Sequence, residues 1–355
     1  RRVLFRSPDP PPQMNHATSL MSDDDPVVSA LAALLADLPG ELWDAGHVDA
    51  KIWDSALLGP ARDIVSRSGK GVRSRLLENS WILGGGEPGA LPELLPVAIE
   101  LLHVGSLVID DIEDDSAMRR GEPALHRRYG LPTALNTGNW LCFLSFACLS
   151  RLPLEPRDRL ALHEEMALAL VRCHQGQALD ISISVAELPR AEVYDVVSTT
   201  TRMKTGALMS LAAVMGARAA GASEDALEAI RAFGSDLGVG LQMLDDWSGI
   251  ATSRRKEKGL EDLRLGSPTW PWAWLSRHIN QVGYAELAHS ARDAGIEWEL
   301  ERVRDRLRVH LAPIAPRLLE EQLESTLEGL RSALGDVPGL ADIEHEIGEL
   351  SRAYG

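Results

Sequence analysis

Five carboxylates in six positions, Asp110-Asp111-Ile112-Glu113-Asp114-Asp115, follow directly on the apolar run Leu107-Val108-Ile109. At helical spacing Asp110 and Asp114 share a face, and His103, seven residues before Asp110, lies on the same stripe. Like charges so placed cost a helix roughly a few tenths of a kcal/mol each unless a cation lies between them. Hard oxygen donors of this kind suit Mg²⁺, which keeps waters and takes one or two carboxylates together with substrate phosphates. An acidic run alone is ordinarily a solvated helix end. Here Arg119-Arg120-Gly121 follows, and two guanidiniums beside a glycine stop can grip phosphate oxygens bidentately. Their structural alternative is an i,i+4 pair of Arg119 with Asp115 and a dipole contact for Arg120.

A second acidic pair is Asp245-Asp246, with Gln242 and Gly238 on the same stripe. Alone, Gln242 reads as a satisfied core amide; beside a carboxylate pair it reads as a substrate contact. Two carboxylate-bearing helices facing each other across a bundle can hold several divalent ions over one diphosphate. Further phosphate candidates are Gly69-Lys70-Gly71-Val72-Arg73 and Lys204-Thr205-Gly206. The former is a glycine loop entering a helix, where backbone N–H groups favour anions, and it lacks the spacing of a Walker loop.

The elements that must position these groups are helices. Apolar residues recur at helical spacing from Val27 onward, strand-like alternation is scarce, and Gly or Pro punctuates the chain at Gly84 to Gly86, Gly121 to Pro123, Gly130 to Pro132, Gly221 and Pro313. Residues 94–109 and 233–244 are apolar nearly all round and belong in the middle of a bundle; each runs into paired aspartates. The mixed amphipathic pattern after Ile296 predicts outer helices. No linker or fixed-period repeat interrupts the chain, so we expect an all-α fold with one large domain over residues 27–355. Residues 1–26 are set aside as a disordered or adventitious segment, with Met14 or Met21 as candidate starts and no signal-peptide pattern.

Composition narrows the function classes. The chain has 355 residues, 45% hydrophobic and 25% charged, enough for a sizeable core. Acidic residues outnumber basic ones 52 to 36, for a net charge of −16, which argues against nucleic acid or an anionic membrane surface as partner. Cys142, Cys148 and Cys173 make neither a disulfide framework nor a zinc set and fit a reducing cytoplasm. Apolar runs fall short of the roughly 18–20 residues of a membrane span, so no transmembrane segment is expected.

In this order the segments resemble the trans-isoprenyl diphosphate synthases, the polyprenyl synthetase family. The stretch His103-Val-Gly-Ser-Leu-Val-Ile-Asp-Asp-Ile-Glu-Asp-Asp-Ser-Ala-Met-Arg-Arg-Gly121, continuing through Pro123, His126, Tyr129 and Gly130, looks most like the eukaryotic-type geranylgeranyl diphosphate synthases. Similarity extends over residues 69–271, including His174-Gln-Gly-Gln-Ala-Leu-Asp180, Lys204-Thr-Gly206 and Glu261-Asp-Leu263. The resemblance implies a large helical bundle of the isoprenoid synthase type with a central cavity, and an Mg²⁺-dependent condensation of isopentenyl diphosphate with an allylic diphosphate. By that resemblance Asp110, Asp111, Asp114, Asp245 and Asp246 would bind Mg²⁺. Lys70, Arg73, His103 and Arg120 would hold isopentenyl diphosphate, and Arg119, Lys204, Thr205 and Gln242 would address the allylic substrate. A homodimer is implied too. Small Gly105 and Ser106, five and four residues before Asp110, would leave the product tunnel open for a C20 or longer chain.

This sequence departs from the family pattern in places. Gly249 occupies the third carboxylate or amide position of the second motif, Ser267 replaces a lysine after Gly266, and the upstream lysine is either Lys256 or Lys258. Trp270-Pro271-Trp272-Ala273-Trp274 is aromatic-heavy, which core or dimer packing explains most simply. Gly249 and the tryptophans motivate a class I terpene cyclase as one alternative. A non-catalytic subunit of a heteromeric synthase, with Gly249 and Ser267 as decay, is another.

Overall fold

The computed structural model describes residues 26–38, 40, 42–67, 69 and 71–354. The N-terminal segment set aside above lies, but for Pro26, outside them, as does Lys70. Helices dominate: α1 (Pro26–Ala36), α2 (Ala50–Trp53), α3 (Gly59–Ser66), α4 (Val72–Leu83), α5 (Leu94–Glu113), α6 (Leu125–Tyr129), α7 (Leu131–Ser150), α8 (Pro156–Ser182) and α9 (Val193–Thr201). After these come α10 (Ala207–Ala219), α11 (Glu224–Ala251), α12 (Lys256–Leu265), α13 (Trp270–His278), α14 (Gln281–Arg292), α15 (Glu297–Leu311), α16 (Ala315–Leu334) and α17 (Leu340–Tyr354). Single π-turns precede α3 (Asp54–Leu58) and α10 (Arg202–Gly206). The strands described are a hairpin pair, β1 (Met118–Arg119) and β2 (Glu122–Pro123). The all-α expectation holds.

The two segments apolar all round are central. From Leu95 to Leu102 every residue of α5 is buried, and the helix packs along α7. The second segment lies in α11, which is buried from Leu237 to Leu241 and packs between α10 and α16. The apolar helix α10 is itself buried from Met209 to Ala217 and lies between α4 and α11. On the outer side α15 buries Leu300, Val303, Leu307 and Leu311, and α16 buries Leu319, Leu323 and Leu330, the 3–4 spacing of one-sided helices. No described helix is long and apolar enough to cross a membrane.

Glycine sets how closely α5 meets α7. A Cβ on Gly105 would lie 2.7 Å from both Cys142 Sγ and Gly138 O, so this position is filled by α7. The expectation that Gly105 opens a product tunnel is corrected accordingly: its small size serves helix contact. Ser106 Oγ donates to His103 O within the helix at 2.8 Å.

Candidate active site

The end of α5 is a helix stop built without glycine. Asp115 takes the left-handed φ of +52°, Ser116 N–H donates to Asp111 O at 2.9 Å, and Asp115 N–H donates to Ile112 O at 3.3 Å. This Schellman closure reverses the chain into the hairpin. The hairpin turns through Arg120 and Gly121 at φ +54° and +81°, as a tight two-residue turn requires. The reversal brings Arg119 back onto Asp111: its Nε donates to Asp111 Oδ1 at 2.8 Å and its Nη2 to the same oxygen. Arg119 therefore pairs with Asp111 in place of the i,i+4 alternative with Asp115.

Asp111 is 1% exposed, and its Oδ2 has no hydrogen-bond partner among the described residues. Burial raises its pKa and Arg119 opposes the rise. Burial and the charge of Asp110 push Asp114 up to about 6. Carboxylates held under this strain, one with a buried unpaired oxygen, fit a divalent cation. Among the described residues no three ligating side chains are already gathered as a closed cage, which suits an ion that completes its shell with water and phosphate.

Opposite α5, the π-turn Arg202–Gly206 is pinched between two helices at glycines. A Cβ on Gly176 of α8 would meet Met203 Cβ at 2.8 Å, and one on Gly238 of α11 would meet Gly206 Cα at 2.7 Å. The widened turn sends Lys204 one way and Thr205 the other. Lys204 Nζ donates to Asp180 and, at 3.4 Å, to Asp110. Burial works against its charge, but Asp110, Asp180 and Asp114 outweigh that and hold Lys204 above the usual lysine range. Thr205 Oγ1 donates to Gln242 Oε1 at 2.7 Å, and Gln242 Nε2 donates to Asp246 Oδ1 at 2.8 Å. Trp270 N–H donates to Asp246 Oδ2 at 2.9 Å, so both oxygens of Asp246 are engaged by the protein. Burial, then Asp262 and Asp245, push Asp246 up to about 8. Asp245 remains part-exposed and pairs with Arg255.

Beside the hairpin lies a cluster of cationic side chains. Arg73 Nη1 donates to His103 Nε2 at 3.1 Å, which makes that nitrogen the acceptor of a neutral imidazole. Burial, then Arg73, Arg120 and Arg119, hold His103 well below the ordinary histidine range. Burial, and against the opposing pull of Glu100 the charges of Arg119, Arg73 and Arg67, also lower Arg120. Gly69 gives Arg120 its room: a Cβ there would stand 2.8 Å from Nη2. Such crowded cations are a site made for an anion.

The two lysines of α12 face different partners. Lys256 pairs with Glu301 on α15, whereas Lys258 reaches Asp262 Oδ1 at 2.9 Å and Glu261 Oε2 at 3.3 Å. Glu261 Oε1 in turn accepts from Ser116 Oγ at 3.3 Å, tying α12 to the turn after α5. Residue type alone does not single out Asp180, Arg67, Glu261 or Asp262. Asp180 and Glu261-Asp262 do sit inside the segments that carry the resemblance, four residues after Gly176 and three after Lys258. Arg67 carries no such signal.

Gly249 faces α12. A Cβ on it would lie 3.1 Å from Gly259 Cα, and one on Gly259 would lie 2.3 Å from Gly249 O. The position that reads as a missing ligand is a backbone-to-backbone helix crossing. Trp270, Trp272 and Trp274 are at most 3% exposed and pack among Trp247, Tyr194 and Tyr284. They are core, which removes the aromatic motive for a cyclase.

A family model described as Polyprenyl synthetase matches residues 54–292. A geranylgeranyl diphosphate synthase of Sulfolobus acidocaldarius is 32% identical over 214 residues, 58% of this chain and 62% of that protein. A geranylgeranyl pyrophosphate synthase of Apiospora sacchari is 32% identical over 221 residues, 61% of this chain and 62% of that protein. The chain thus spans a little under two thirds of these relatives. In fold it is similar to the geranylgeranyl pyrophosphate synthase of Corynebacterium glutamicum solved with isoprenyl diphosphate and magnesium, with a TM-score of 0.76 at 20% identity over 92% of this chain and 97% of that one. With the family model covering most of the residues that build the acidic and cationic walls just described, the chain belongs to the polyprenyl synthetase family.

Proposed function

We propose that this protein is a trans-prenyltransferase that condenses isopentenyl diphosphate with an allylic diphosphate to an all-trans prenyl diphosphate, of C20 or longer. The observation that carries this reading is the meeting of two unlike walls: strained carboxylates at the end of α5 and, beside them, the Arg73, His103, Arg119 and Arg120 pocket. Mg²⁺ held by Asp110, Asp111, Asp114 and Asp245 would supply positive charge to the departing diphosphate of the allylic substrate.

The chain's own groups do the rest. Arg119 and Lys204 present cations beside those carboxylates and stabilise charge on the leaving group. Arg73, Arg120 and neutral His103, with Lys70 by resemblance, bind the diphosphate of isopentenyl diphosphate and hold its double bond toward the allylic carbon. Attack by that double bond on the allylic cation and loss of a proton, to the released diphosphate, complete one five-carbon addition. Asp246 is assigned to orient Gln242 and through it Thr205, since both its oxygens already accept protein hydrogen bonds.

The partner is read as a second copy of the chain. Phe143 on α7 and Leu160, Leu168 and Val171 on α8 are 56–72% exposed, an apolar face on adjacent helices that a dimer would cover. We place the protein in the cytoplasm, where its free cysteines stay reduced. The test is product analysis by mass spectrometry, with isopentenyl diphosphate and allylic diphosphates of increasing length, in Mg²⁺ and in EDTA. Metal-dependent elongation that Asp110→Ala abolishes is expected. Normal turnover by folded Asp110→Ala would overturn the site.

A further inference from the structure

We propose that Arg67 is a positioning residue that clasps the hairpin carrying Arg119 and Arg120 and so sets the diphosphate pocket; the inference rests on the function proposed above. Arg67 is the first extended residue after α3, and its side chain is 4% exposed. Its Nε donates to Asp63 Oδ1 at 3.0 Å. Its Nη1 donates to Arg119 O at 3.2 Å and to Pro123 O at 2.9 Å, one carbonyl from each strand of the hairpin. In return Arg120 Nη1 donates to Arg67 O at 2.8 Å. Asp63 Oδ2 accepts from Arg128 Nη1 at 2.7 Å, and Arg128 Nη2 donates to Glu122 Oε2 at 2.6 Å, so the end of α3 holds the ribbon a second time.

The hairpin needs such support. With two residues per strand it is too short to hold itself, and its turn places a non-glycine residue, Arg120, at φ +54°. Only a planar guanidinium can span Asp63 and both strand carbonyls from one buried stem, whereas an ammonium presents a single point. Arg67 thus acts through Arg119, whose carbonyl it binds, and through Arg120, whose guanidinium its own carbonyl accepts. Loosening the hairpin weakens the hold on the diphosphate without touching the bond-making step, so the loss falls on KM and pyrophosphate affinity rather than on kcat.

The test uses the full chain and the variants Arg67→Met, Arg67→Lys and Asp63→Asn. Four quantities are measured: affinity for inorganic pyrophosphate without metal by calorimetry, KM and kcat for isopentenyl diphosphate, and Tm. We expect pyrophosphate affinity to fall about tenfold and KM to rise by about the same factor, with kcat within about threefold. Arg67→Met added to Arg120→Lys should weaken pyrophosphate binding less than about twofold further, because the two act through one hairpin. Should Arg67→Met not fold, Arg67→Lys and Asp63→Asn decide. Folded variants with lowered Tm but wild-type pyrophosphate affinity would show a merely structural role and overturn the proposal. A wild-type protein that elongates nothing would sink the proposed function, while the pyrophosphate titration would still report on the clasp.

Discussion

Replacing Gly259 by alanine tests how α12 is held against the second acidic helix. The added Cβ would lie 2.3 Å from Gly249 O and 2.7 Å from Gly249 C, short of a comfortable contact of roughly 3.5 Å by about 1 Å. Both partners are backbone atoms inside helices, so no side chain can swing aside and α12 must move off α11. Overpacking of this kind costs about 1–3 kcal/mol, against which a helical Gly→Ala exchange returns about 0.5–1 kcal/mol. The net, about 0–2.5 kcal/mol, corresponds in a chain of this length to a Tm lowered by up to about 3 °C. The displaced helix carries Lys258, Glu261 and Asp262 away from Ser116 and Asp245, so elongation should slow about 10- to 100-fold. Gly249→Ala meets Gly259 Cα and N at 3.1 and 3.2 Å and should cost less than Gly259→Ala, while Gly249→Asp, which pushes a carboxylate into the same contact, should damage both stability and rate. Gly329→Ala on α16 is the control: nothing among the described residues lies within 4 Å of its added Cβ, and it should gain about 0.5–1 kcal/mol. Differential scanning fluorimetry and a product assay on the four variants suffice. If Gly259→Ala behaves like Gly329→Ala, the crossing is not there and Gly249 has no structural reason to be glycine.

Three further outcomes follow from the same structure. Burial and the surrounding arginines keep His103 neutral when folded, while the unfolded chain protonates it below 6.5; the unfolded state then binds more protons, so stability is lost as pH falls below 6.5, by at most about 1.4 kcal/mol per unit. His103→Asn should flatten that part of the curve of Tm against pH between about 5 and 6.5. Gly69→Ala crowds the end of the Arg120 side chain at 2.8 Å, which can shift, so KM for isopentenyl diphosphate should rise about three- to tenfold with Tm nearly unchanged. Glu165 accepts two hydrogen bonds from Arg231 at 2.7 Å and one from Arg218 at 3.2 Å, away from the site; Glu165→Gln should lower stability by about 2–3 kcal/mol in thermal or urea unfolding and leave KM alone.

Some of this is legible in the chain because local sequence carries it. A helix apolar on every side has to be central, so carboxylates at its end have to enter the core, and α5 and α11 do this. Lys256 and Lys258 cannot be ranked by type, yet two positions on a helix differ by about 200°, so only one can face the acids; which one depends on where α15 lies. The π-turn at Arg202–Gly206 leaves no mark in composition, although it separates the directions of Lys204 and Thr205.

The glycines mislead for a physical reason. At Gly105 a small residue reads as open space, and at Gly249 as a missing ligand; in both a helix backbone lies against the absent side chain, Gly138 O in one case and Gly259 Cα in the other. An absent Cβ has no chemistry of its own. Its meaning comes wholly from the neighbour that takes its place, and that neighbour is 33 residues on for Gly105 but 10 residues on for Gly249, beyond any helical period that sequence reading can use. Arg67 is invisible for the complementary reason: a lone arginine after a short helix is common, and what makes it count is a pair of carbonyls 52 and 56 residues downstream. Function at this site therefore depends on two kinds of residue with unequal visibility. The groups proposed to touch diphosphate announce themselves by type, while those that fix the distances between the walls are found only where the helices cross.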